Sequence, residues 1–75
     1  MSDQMKLGYL GIQFAISRHL SALAGNTRLQ TKWVDKGIEL TNLFDRVESG
    51  CASANSLQML INRTQTDLSS EQVWS

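Results

Sequence analysis

The N-terminal stretch MKLGYLGIQFAISRHLSALA is apolar on more than one side of a helix, and a chain of 75 residues has little to bury two sides with. At about 100° per residue, Met5, Tyr9, Ile12, Ile16, Leu20 and Leu23 fall on one stripe, which is expected to face the chain's own core. Leu7, Leu10 and Phe14 form a second patch well round the helix, and a strip of small residues, Gly8, Gly11, Ala15 and Ala22, lies between the two. A second patch that the chain itself does not cover implies a covering partner or a second copy.

Other remedies for a small core are closed within one chain. Folding at this length buries only about 60% of the unfolded chain's surface, so small domains turn to disulfides, metals or association. Cys51 is the sole cysteine and His19 the sole histidine, which leaves no bridge and no tetrahedral Cys/His set. Association remains, and the sequence therefore predicts an all-α fold, a helical hairpin or small three-helix unit completed by oligomerisation.

The punctuation supports three helices in a single domain spanning residues 1–75. There is no proline, and Gly25 and Gly50 follow long periodic segments, where a helix stops. Helices are expected at about 4–24, 27–48 and 54–67, with 69–75 as a tail. Asn26 or Thr27 is placed to cap the second helix and Ser53 or Asn55 the third. The second helix carries Leu29, Trp33, Leu40, Phe44 and Val47 on its inner stripe, with Val34 and Ile38 widening the apolar arc. Its bulky Trp33 and Phe44 could pack into the small-residue strip of the first helix, or two copies of that helix could meet there. Gly37 interrupts the second helix at a cost of about 1 kcal/mol relative to alanine. A close helix contact is the favoured reason and a kink the alternative. Leu57, Leu60 or Ile61, Thr64 and Leu68 give the third helix one apolar face, though Asn62, Thr64 and Thr66 are poor helix formers. Ser69 and Gln72 could instead open a further turn as a capping box, and Trp74 is either idle or an anchor for a partner.

Charge excludes one class of partner. Seven basic and seven acidic residues cancel, and no segment concentrates either sign, so the cation surplus that drives phosphate binding is missing and no nucleic-acid partner is expected. Arg18, His19, Gln13, Ser17 and Ser21 break the apolar N-terminal stretch, so neither a membrane span nor a signal sequence is expected, and a cytoplasmic location is the default.

Chemistry-bearing residues are few. His19 lies at the seam of the main stripe with no nucleophile or carboxylate beside it on its own helix, so a structural or interface role is expected. Cys51 sits in a Gly/Ser/Ala turn with no adjacent cation to activate its thiol. Asp35 and Glu39 share a face with Lys32, Lys36 and Arg46, which reads as a solvated ion-pair surface. There is no phosphate-binding glycine loop, CxxC, HExxH or calcium-loop spacing.

The expectation is therefore a protein that is not an enzyme, with no catalytic, cofactor-binding or metal-binding residues and no cofactor. It is an interaction module: a small adaptor, assembly chaperone or inhibitor that pairs with itself, as a dimer, or with a heterologous protein. Its partner-binding residues are expected to be Leu7, Leu10, Phe14, Gly8, Gly11, Ala15 and Trp74. Two alternatives stand beside it. One is a small DNA-binding regulator, opposed by the long connection between the second and third helices and by Arg63 as the lone base-reading cation. The other is a subunit of a helical filament, for which apolar surface on two sides would serve head-to-tail contacts.

Overall fold

A computed structural model describes residues 2–72. Three helices follow in order: α1 (Asp3–Ala22), α2 (Thr27–Glu48) and α3 (Ala54–Gln72). Short connections force neighbours to run antiparallel, and each helix packs against the other two in an elongated bundle of 38 × 19 × 15 Å. No strand is present among the described residues.

Each boundary has a local cause. Ser2 starts α1 by accepting the Met5 amide at 3.2 Å, and Asn26 starts α2 by accepting the Leu29 amide at the same distance. Ser53 does the same for Ser56 at the head of α3. Gly25 (φ 91°) and Gly50 (φ 83°) take the left-handed conformation that lets the chain reverse cheaply. The turn at Gly50 brings the Cys51 and Ala52 amides onto the carbonyl of Arg46, at 2.7 and 3.2 Å.

Two expected boundaries need correction. The first helix stops at Ala22 rather than 24, where the Leu23 amide turns back to His19 and Leu20. The third continues through Gln72. Residues 69–72 are therefore helix and not tail, because the inward stripe runs one step further than the apolar residues do, to Glu71. Residues 73–75, Trp74 among them, lie outside the described residues.

The core is the expected set of stripes. Ile12 and Ile16 from α1, Trp33 and Leu40 from α2, and Leu57, Ile61 and Leu68 from α3 are buried, with Trp33, Leu40 and Leu57 wholly inaccessible. Tyr9, Leu20, Phe44 and Val47 pack half-buried around them. Tyr9 stacks on Phe44 with ring centroids 4.2 Å apart. Its hydroxyl bonds Thr41 at 3.1 Å.

Gly37 lies beneath a side chain of α1. The Gln13 amide donates to the Gly37 carbonyl at 3.0 Å, and a Cβ at Gly37 would sit 3.4 Å from Gln13 Oε1. Helix α2 runs unbroken through this point, and 3.4 Å is an ordinary contact distance, so the space beneath Gln13 would admit a methyl group and the expected close helix contact does not by itself demand a glycine.

Candidate protein-interaction face

Helix α1 buries only part of its apolar surface. Placed at 100° per residue, Leu7, Leu10 and Phe14 point away from the Ile12/Ile16 stripe. They remain 69%, 60% and 66% exposed. They occupy positions i, i+3 and i+7, the spacing at which one helix presents anchors to another. Val34 and Ile38 on α2 and Met59 on α3 are also exposed. Val34 and Ile38 border a shallow channel with Ser17 and Leu20 of α1. Met59 falls outside the α3 stripe, so its position in the sequence does not single it out.

The small-residue strip does not receive α2. Trp33 lies in the core, edge-on to His19, and Phe44 lies on Tyr9. These bulky residues therefore leave the strip open at Gly8 and Gly11, while Ala15 packs against the core that holds Trp33. Gly8, Gly11, Ala15 and Ala22 instead line a groove between α1 and α3, walled on the far side by Gln58, Asn62 and Gln65. A Cβ built on Gly8 or Gly11 would meet nothing within 4 Å. Among the described residues nothing requires a glycine at either position.

One end of the bundle is closed by a polar cluster that holds the scaffold behind this face. Antiparallel packing gathers the C-terminal turns of α1 and α3 with the N-terminal part of α2. Glu71 Oε2 accepts from His19 Nε2 at 2.7 Å and from Trp33 Nε1, while Glu71 Oε1 accepts from Lys32 Nζ at 3.1 Å. His19 is only 7% exposed and Trp33 is fully enclosed. Asp67, one turn earlier, pairs with Lys36 at 3.1 Å and Lys32 at 3.4 Å. The two ammonium groups also lie 5.2 and 5.6 Å from the centroid of the Trp33 ring, within cation–π range.

The electrostatics follow from these contacts. Burial alone would raise the Glu71 carboxyl, but hydrogen bonds from His19, Lys32 and Trp33 outweigh it and hold the group below its ordinary value. Asp67 is likewise lowered, with burial opposed by the contacts from Lys36 and Lys32. Lys32 is raised, since the opposing effect of burial is exceeded by its bonds and attraction to Glu71 and Asp67. No buried side-chain nitrogen or oxygen among the described residues lacks a partner. The carboxylate is engaged by three donors from two helices, an arrangement that ties α3 to α1 and α2.

The sequence held a signal for this cluster. Leu57, Ile61, Thr64 and Leu68 step by 4, 3 and 4, and the next step lands on Glu71. A carboxylate at the end of an inward stripe demands donors, and His19 on the inner stripe of α1 is a matching one. Lys32, expected on a solvated face, is instead half-buried over Trp33.

Among the described residues, no helix is long and apolar enough to cross a membrane, and no three His, Cys, Asp or Glu side chains come together as metal ligands. Cys51 is exposed in the α2–α3 turn. Set against known protein families, characterised proteins and solved structures, the chain matches none of them.

Proposed function

We propose that this chain is a non-enzymatic protein-interaction module, a small helical adaptor, assembly chaperone or inhibitor, that buries the outer face of α1 against a partner protein. The observation that carries the reading is the exposure of Leu7, Leu10 and Phe14 on a helix whose opposite side already meets the core. Singly exposed apolar residues are ordinary, but three at helical spacing on one rigid element form a contiguous anchor. The core and the Glu71 hydrogen bond to His19 anchor α1 in the bundle, so the face is already folded when a partner meets it. The partner surface that fits is another apolar helix face, met side by side.

Phe14→Asp tests this. Its side chain projects from the bundle, so the variant is expected to keep its helical content and unfolding midpoint as a monomer while losing the association or partner retained by the wild-type chain. An unchanged association profile would sink the proposal.

A second reading, a subunit of a helical filament, is favoured by the exposure of Val34 and Ile38 on a different helix. Two unlike apolar faces suit a contact that repeats without closing. Growth of particle mass with concentration and without a plateau would select it.

A further inference from the structure

We infer that the occupant of the α1 face is a second copy of this chain, lying antiparallel across a two-fold axis that passes between Leu10 and Gly11. This rests on the reading of the α1 face as an interface and assigns its partner. The first observation is the order of residues along that face: Asp3, Leu7, Leu10, Phe14, Arg18. The apolar trio is centred between Leu10 and Gly11. Asp3 and Arg18 each lie about 11 Å along the axis from that point, on opposite sides, at 1.5 Å per residue. Reversing the helix about the midpoint therefore sets Leu7 against Phe14 of a second copy and Leu10 beside its own equivalent, and it sets each Asp3 against an Arg18. A parallel pair would instead oppose Asp3 to Asp3 and Arg18 to Arg18.

The second observation is that both charges are exposed, Asp3 in the first turn of α1 and Arg18 about four turns further on. Lys6 pairs with Glu48, and Lys32 and Lys36 pair with Asp67 and Glu71, but neither Asp3 nor Arg18 forms an ion pair with another described residue. The third is the open space at Gly11, on the flank of the trio and level with its midpoint along the helix, where a Cβ would touch nothing of its own chain. A flank without a side chain leaves room for the partner's Leu10 and Phe14 to settle beside the trio. Opposed helix dipoles favour the same orientation.

The test combines mass, charge and register on the full chain. Sedimentation equilibrium across a dilution series is expected to show a monomer–dimer equilibrium. Asp3→Arg or Arg18→Asp alone converts both cross pairs into repulsions and should raise the dimer dissociation constant about tenfold. The double swap should return it to within about threefold of wild type. Register is read independently of charge: in a Cys51→Ser background, a short bis-maleimide linker should join Asp3→Cys to Arg18→Cys chains when the two are mixed, and should join neither variant efficiently to itself. Self-linked products would mean a parallel pair and overturn the inference. So would a monomer at all concentrations. If that monomer nevertheless binds a different protein, and Phe14→Asp abolishes the binding, the interaction reading stands without self-pairing; if it binds none, both fall.

Discussion

Glu71→Ala is expected to be among the most damaging single changes at a position that is not apolar, and its cost can be worked from the cluster. Removing the carboxylate orphans the indole N–H of Trp33, which is fully enclosed and has no route to water. A buried donor left unpaired costs about 1–3 kcal/mol. The His19 ring, 7% exposed, loses its 2.7 Å bond and adds a comparable amount, reduced where water reaches its edge. Lys32 contributes little, because its ammonium can turn outward. The total is about 2–5 kcal/mol, against a stability of about 4–11 kcal/mol for a chain of this length. Helix propensity does not offset it, since alanine favours helix by only a few tenths of a kcal/mol over glutamate. Asp67→Ala is the control: its partners are partly solvated lysines, and pairs of that kind contribute about 0–1 kcal/mol. Urea unfolding followed by far-ultraviolet circular dichroism measures both. A double-mutant cycle with Trp33→Phe isolates the orphaned indole, and Glu71→Ala should cost about 1–3 kcal/mol less in that background. If Glu71→Ala and Asp67→Ala were equally mild, or the cycle showed no coupling, the argument that Glu71 serves as the acceptor of the core would be refuted.

Acid should loosen the same end of the bundle. Glu71 and Asp67 are both lowered in the folded chain, so their contribution is complete above the ordinary carboxylate range and disappears as pH falls through their folded values. Unfolding midpoints followed downward from neutral pH should therefore drop in acid, and Glu71→Gln should flatten that slope. Leu40→Ala empties a fully buried site and should cost about 2–5 kcal/mol. Leu10→Ala, by contrast, should leave the stability of the monomer within about 0.5 kcal/mol of wild type, a comparison made by thermal melts at high dilution. Gly8→Ala meets no neighbour and should stabilise the isolated fold by about 0.5–1 kcal/mol, measured in the same way.

Much of this molecule is legible along the chain because its helices are defined by near neighbours. Asn26 and Ser53 cap from three residues away, Gly25 and Gly50 permit the reversals, and the stripe from Leu29 to Val47 repeats at the helical period. These are interactions over a few residues, and they need no knowledge of the rest of the fold. The surplus patch of Leu7, Leu10 and Phe14 is equally visible, since a helix has one side facing inward and the patch lies on the other.

Tertiary packing decided what the local pattern could not. The end of α3 lies beyond the expected boundary although Asn62, Thr64, Thr66 and the Ser69–Ser70 pair are weak helix formers. Docking overrides that weakness by burying Thr64 and Leu68 and giving Glu71 its three donors. His19 and Glu71 are 52 residues apart, and only the antiparallel return of α3 brings them to 2.7 Å. That the Gln13 side chain of α1 reaches the Gly37 carbonyl likewise depends on how the two helices pack. The open space beside Gly8 and Gly11 is also a property of the assembled bundle, because a sequence shows that a residue is small but not what stands in front of it.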